Sequence, residues 1–191
     1  MISNRLIIQI IILNYYSGSE IAAKYLVIVR FFDIIRIAAT NFTQVLFPKI
    51  IHAEVNAQWQ VLKNMFFTLL KRISFLIVLI FIFFWSMGLK IFIYWIGFKD
   101  LQMLSLYHLY LVFTCLIIFD NVSVVFLSAL KLNKVPTILS IFQGILGILL
   151  SIVLLKYIGF KGLLIGFLCS FLLTNLFFNP LYLLRSLNKK L

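Results

Sequence analysis

Between residues 21 and 45 an otherwise apolar stretch carries Arg30, Asp33 and Arg36, followed by Thr40, Asn41 and Gln44. At about 100° per residue on a helix, these six side chains fall within an arc of roughly 140°. One face is then a polar strip about four turns long, and the other is apolar. Asp33 lies three residues from each arginine and can pair with either. The triad keeps a net positive charge, and arginine presents phosphate oxygens with a planar fork of donors. Arg30, Arg36 and Asp33 are therefore the candidate substrate-binding residues, and a phosphate-bearing molecule is the candidate substrate. The alternative is a brace in which the three charges only bridge neighbouring helices.

A second polar feature lies further along. Tyr107, Thr114, Asn121 and Ser128 recur every seven residues on one face, and Asp120 sits about 100° from them inside an apolar run. Asp120, with Asp33, is a candidate cation or proton coupling site; a hydrogen bond between helices is the other reading of Asp120. Ser140, Gln143, Gly144, Gly147 and Ser151 form a small-residue face, as do Gly162, Gly166, Ser170 and Thr174. Such patterns point to close helix packing. Cys115 and Cys169 lie in apolar stretches without a ligand partner, and His52 and His108 stand alone, so no metal site and no cofactor is expected.

These side chains need elements to hold them, and the composition says which. The chain has 191 residues, of which 64% are apolar and 12% charged, with 21 Phe and 3 Pro. Mean hydropathy is +1.14. A soluble domain is about 45–50% apolar, so this chain carries more apolar surface than one core can hide. That excludes a soluble globular domain, a disordered chain and a disulfide scaffold, and predicts an all-α polytopic membrane bundle. A net charge of +12 arises from 17 Lys and Arg against 5 acids. The basic residues sit singly or in pairs between apolar runs, which fits membrane loops and not a nucleic-acid surface.

A spanning helix needs about 20 apolar residues. Five full spans are expected, over residues 21–45, 73–89, 101–130, 135–157 and 163–184, after a partial one at residues 1–16. The span at 73–89 is apolar on nearly every side and should face lipid. Residues 46–72 read as a cytoplasmic surface segment, amphipathic from residue 56, and 185–191 as a cytoplasmic tail. Pro48 should end the helix before it, Pro136 should sit in the first turn of a span, and Gly159 and Gly162 should bracket a tight turn. Arg5, Lys49, Lys63, Lys71, Arg72, Lys131, Lys134, Arg185, Lys189 and Lys190 gather on one side. Lys24, Lys90, Lys99, Lys156 and Lys161 gather on the other, so the richer side and the C-terminus should be cytoplasmic.

The charged span cannot face lipid all round. Its apolar residues contribute roughly 5 kcal/mol to insertion, while Arg30, Asp33 and Arg36 cost roughly 8 kcal/mol if exposed to lipid. The three charges are therefore expected to face protein or a hydrated cavity.

Residues 17–25 (Ser-Gly-Ser-Glu-Ile-Ala-Ala-Lys-Tyr), then Arg30, then residues 45–49 (Val-Leu-Phe-Pro-Lys) follow an order with a known counterpart. A basic segment over residues 63–72 and the turn at residues 157–162 (Tyr-Ile-Gly-Phe-Lys-Gly) follow. The pattern resembles the polysaccharide (O-antigen type) flippases of the multidrug/oligosaccharidyl-lipid/polysaccharide exporter superfamily. Those have twelve or more helices in two bundles around a central cavity with basic residues in it. The resemblance implies that this chain corresponds to the second bundle, entered partway through its first helix. It implies movement of undecaprenyl-diphosphate-linked oligosaccharide across the bacterial inner membrane, with Arg30 and Arg36 as the matching basic residues. It also implies a truncated or split gene, or a partner: a missing N-terminal half or another polysaccharide-assembly membrane protein.

Three other functions compete with this reading. A polyprenyl-phosphate transferase needs paired acids near the membrane surface to hold a divalent metal, and no two acids here are adjacent. Without a Ser-His or Cys-His unit either, no enzyme is expected. A drug exporter of the same superfamily would favour acids over arginine in its cavity. A non-transporting remnant or interaction subunit would follow a disrupted first half in the gene.

Overall fold

A computed structural model of the chain describes residues 2–96 and 101–190, and among them every element is helical. Lys99, counted above on the basic-poor side, and Leu191 of the expected tail lie outside the described residues. The helices are α1 (Ile2–Ser17), α2 (Ser19–Gln44), α3 (Phe47–Val55), α4 (Trp59–Phe83), α5 (Leu89–Ile96), α6 (Leu101–Ala129), α7 (Lys134–Ile158), α8 (Lys161–Leu173) and α9 (Asn175–Asn188), with a π-helical turn (Phe84–Gly88) joining α4 to α5.

Four stretches are long and apolar enough to cross a membrane: Trp59–Trp95, Leu104–Ala129, Lys134–Ile158 and Lys161–Asn188. The chain is thus a multi-pass membrane bundle by length and composition. The charged helix α2 is 26 residues long but is not among the four. Its mean hydropathy is lowered by Lys24, Arg30, Asp33 and Arg36.

The central element is α6. Its apolar stretch is 61% buried, against 11% for Trp59–Trp95. Two cores share it. In one, Tyr25, Ile28, Val29 and Phe32 of α2 meet Tyr107, Tyr110 and Leu111 of α6. In the other, Ile50 of α3 and Leu62, Phe66 and Ile73 of α4 meet Val122 and Phe126 of α6 and Leu183 and Leu187 of α9. The outer face of α4, with Phe75, Val78, Leu79 and Ile82, is exposed, as a lipid-facing helix requires.

Local chemistry explains the breaks. α2 stops at Gln44, and Pro48 lies in the first turn of α3, where its missing N–H costs nothing. α7 ends on Gly159 in the left-handed region, and the Gly162 amide closes the turn on the Gly159 carbonyl at 2.8 Å. α4 begins at Trp59 and runs without interruption through Lys71 and Arg72 into the apolar run. The surface segment expected over 46–72 is therefore α3 plus the opening turns of a spanning helix. Lys63 Nζ donates to Asn188 Oδ1 at 3.0 Å, and Lys190 Nζ lies 4.3 Å from the Trp59 ring centre. The start of α4 and the end of α9 therefore share one end of the bundle.

α7 and α8 are the most closely packed pair, through the small residues. A Cβ on Gly166 would stand 2.5 Å from the Ser151 amide nitrogen, and one on Gly162 would collide with the Leu154 carbonyl. Ser151 Oγ donates across the contact to the Leu163 carbonyl at 2.8 Å. The last expected span is two helices: Thr174, at φ −114° and ψ −84°, breaks it. The Thr174 hydroxyl donates to the Ser170 carbonyl at 2.6 Å, replacing part of the backbone ladder. Pro180 removes a further backbone donor from α9.

Candidate functional site: a polar cavity between the spans

A cavity of about 410 Å³ opens between the helices. α2 supplies Arg36, Thr40 and Asn41, α6 supplies Asp120 and Asn121, and α7, α9 and α1 supply Gln143, Asn175 and Gln9. Tyr110, Phe113, Phe167 and Phe171 form its apolar wall. A mostly apolar pocket with a few convergent polar groups is the usual form of a binding site.

Arg36 is set by a partner on its own helix. Its Nε and Nη2 donate to Asp33 Oδ1 at 3.0 and 2.7 Å, and both side chains are largely buried. Two of five guanidinium donors are thus used, and the others remain for a ligand. Asp33 stands behind Arg36 and is not part of the lining. Arg30 departs from the group. Its Nη1 is 3.9 Å from Asp33 Oδ2, its side chain is 70% exposed, and it is not part of the lining. The polar strip therefore divides, with Arg36 and Thr40 turned to the cavity and Arg30 and Gln44 on the open face of α2. Asn41 lies at the boundary, exposed and yet part of the lining.

Several polar contacts fix the walls. Asn121 Nδ2 donates to Thr43 Oγ1 at 2.7 Å, tying α6 to α2. Tyr25 Oη donates to Gln9 Oε1 at 2.9 Å, tying α2 to α1. Asn179 Nδ2 donates to Asp120 Oδ1 and Oδ2 at 2.9 and 3.2 Å, tying α9 to α6. Asp120 is thus a lining residue and also a helix-to-helix acceptor, so the two readings of it are not exclusive.

Asn175, Asn179 and Gln9 play no part in the sequence reading, and Gln143 enters it only as a packing residue. Buried amides one turn apart, such as Asn175 and Asn179 in an apolar run, are the signal that could have found them. Ser151 and Gly147 do pack, whereas Gln143, on the same stripe, lines the cavity. No group of three or more His, Cys, Asp or Glu side chains gathers at metal-ligand spacing among the described residues. Among the described lining residues Arg36 is basic and Asp120 acidic, and Arg36 is held by Asp33. No family model, curated protein or solved structure matches the chain.

Proposed function

We propose that this chain is one helix bundle of a membrane transporter that moves undecaprenyl-diphosphate-linked oligosaccharide across the bacterial inner membrane for surface polysaccharide synthesis. The observation that carries the reading is Arg36 lining a cavity among apolar spans, with amide side chains around it. Buried ionisable groups within membrane helices belong to substrate and ion pathways, and arginine is the side chain suited to a diphosphate. In this reading α2 is the fifth span, with the C-terminus on the cytoplasmic side as the Lys and Arg distribution requires. The polyprenyl tail stays in the bilayer while the diphosphate meets Arg36, and a bound phosphate competes with Asp33 for the guanidinium.

The open face of α2, carrying Arg30, Asn41 and Gln44, suits a second bundle better than lipid. A missing N-terminal half or another polysaccharide-assembly protein is the partner in this reading. Drug export by the same superfamily is the second reading, and Asp120 in the lining favours it. The test is surface polysaccharide in a strain lacking its own flippase, supplied with this chain and a first-bundle partner. Restored polysaccharide supports the reading. Resistance to cationic drugs without polysaccharide would favour the second, and neither effect at normal expression leaves a non-transporting subunit.

A further inference from the structure

The stretch Trp59–Trp95 is longer than a membrane is thick. Its 37 residues rise about 55 Å, against a hydrocarbon core of about 30 Å. The excess lies at its start. On α4, Gln60, Asn64, Thr68, Lys71 and Arg72 are exposed, and after them Phe75, Val78 and Ile82. The membrane surface therefore crosses α4 between Arg72 and Phe75, and about 20 Å of helix stands outside it. Phe66 meets Phe126 with ring centres 5.3 Å apart, and Trp85 meets His108 at 4.3 Å. That antiparallel register sets Arg72 level with Asp120 of α6. Asn179 of α9, bonded to Asp120, and Thr43 of α2, bonded to Asn121, lie at the same level. From Lys161 to Asn179 the last span then rises about 27 Å, close to one hydrocarbon thickness. α3 and the ends of α6 and α9 project with the start of α4. Their apolar side chains, among them Ile50, Leu62, Phe126 and Leu187, make up much of the second core. That core belongs to a helical cap outside the hydrocarbon.

The cap is strongly basic. Residues 46–72, 121–137 and 181–190 hold nine Lys and Arg and one acid, Glu54. Four of the cations, Lys63, Arg185, Lys189 and Lys190, gather where α4 begins and α9 ends. Neutral groups hold two of them there: Lys63 Nζ donates to Asn188 Oδ1 at 3.0 Å, and Lys190 Nζ lies 4.3 Å from the Trp59 ring centre. Arg185 is exposed three residues from Asn188, on the same face of α9, and Lys189 is exposed beside it. Among the described residues none of the four forms an ion pair with a carboxylate. Like charges gathered without a counter-charge raise the local potential, and an anion relieves it. Height selects the anion. Lys63 and Lys189 stand about 13 Å beyond the level of Arg72 and Asn179, farther than the Debye length of about 8 Å at physiological salt. Bilayer headgroups neutralise Lys71 and Arg72, at the surface itself, and not the far end. Val61 and Phe67, exposed on the same projecting stretch of α4, offer apolar contacts that a polypeptide can use.

We propose that this cap is a docking platform for an acidic segment of a soluble protein. The segment lies across the start of α4 and the end of α9, with its carboxylates on Lys63, Arg185, Lys189 and Lys190. In the transport reading the platform faces the cytoplasm. The platform itself requires only that the chain spans a membrane, whatever it carries.

The test uses the full chain in nanodiscs of phosphatidylcholine, with a fluorescent peptide rich in Glu and carrying a few Leu as the probe. Anisotropy should show saturable binding to the parent that weakens as salt is raised. The same peptide with Gln in place of Glu should not bind. The triple variant Lys63→Gln, Lys189→Gln, Lys190→Gln should weaken binding by roughly tenfold, as the loss of three exposed charge pairs requires. Lys156→Gln with Lys161→Gln, at the opposite end of the bundle, should bind as the parent does. The proposal is overturned if the parent shows no saturable binding, or if the triple variant binds as tightly. It is also overturned if phosphatidylglycerol in the disc displaces the peptide, since headgroups would then occupy the cap. Should the triple variant melt early, Arg185→Gln with Lys189→Gln decides, because it leaves the Lys63–Asn188 and Lys190–Trp59 contacts in place. Because the assay contains no lipid-linked substrate, its failure leaves the transport reading to its own test.

Discussion

Arg36 gives Asp33 two hydrogen bonds, at 3.0 and 2.7 Å, on the same helix that carries Arg30 at only 3.9 Å from the same carboxylate. The buried arginine is the partnered one and the exposed arginine is the spare. Arg36→Ala should therefore destabilise the bundle, since it leaves Asp33 in an apolar surround with one distant counter-charge. A cost of about 3–5 kcal/mol applies to a fully broken buried pair, and Arg30 moving closer should reduce it. The double variant Asp33→Ala, Arg36→Ala should recover part of the loss, because no buried charge then stands alone. Thermal unfolding in detergent measures both, and a double variant no better than Arg36→Ala would count against the pairing.

The small-residue contact between α7 and α8 makes a paired prediction. Gly166→Ala places a methyl group against the backbone of Ser151, so the helices must part, at about 1–3 kcal/mol. Gly144→Ala, on the same α7, meets nothing within 4 Å and should be neutral or slightly stabilising. Equal melting temperatures for the two variants would show that the contact is looser than described.

How far the sequence anticipated this is uneven, for physical reasons. The exposed face of α4 and the packing face of Gly162 and Gly166 follow from periodicity, which is local information. Arg36 in the cavity follows from the same periodicity and from the cost of a lipid-facing charge. Arg30 does not: the polar arc is wider than the cavity mouth, and only tertiary packing decides which edge is covered. The break at Thr174 has neither Gly nor Pro at its centre and depends on a side chain competing for a backbone carbonyl. Asn179 and Asn175 gain their meaning from Asp120 and Gln143, 59 and 32 residues away in sequence.

The π-helical turn should be a soft point that Tyr107 holds. Its hydroxyl donates to the Phe84 carbonyl at 3.0 Å, and a Cβ on Gly88 would stand 2.5 Å from that hydroxyl. Tyr107→Phe removes one hydrogen bond, about 0.5–1.5 kcal/mol, whereas Gly88→Ala must displace the ring as well. Hydrogen exchange over residues 84–96 should rise in both, and more in Gly88→Ala. The opposite order would mean that the hydroxyl, not the space, sets the turn.

The contact of Lys63 with Asn188 puts the start of α4 and the end of α9 at one end of the bundle, while Lys161 starts the helix that follows the α7–α8 turn. In the transport reading proposed above, the Lys- and Arg-rich first end faces the cytoplasm. Single cysteines at Lys161 and Lys99 should react with an impermeant thiol reagent added to whole cells, and one at Lys189 should not. Labelling at Lys189 alone would invert the topology.

The last expectation separates the two arginines by function. Both were candidates on charge alone, yet only Arg36 lines the cavity, and Arg30 sits on the open face of α2. A ligand in the cavity therefore meets Arg36, and Arg30 matters through whatever covers its face. In the complementation assay, with a first-bundle partner present, Arg36→Ala should remove most surface polysaccharide at equal expression. Arg36→Lys should restore only part, because a point charge lacks the fork that holds Asp33 and a phosphate together. Arg30→Ala should lose less polysaccharide but should weaken recovery of the partner when the two are co-purified. Polysaccharide unchanged in Arg36→Ala, with the melting temperature lowered as above, would make that residue a brace. The substrate would then have to be sought on the α2 face that carries Arg30.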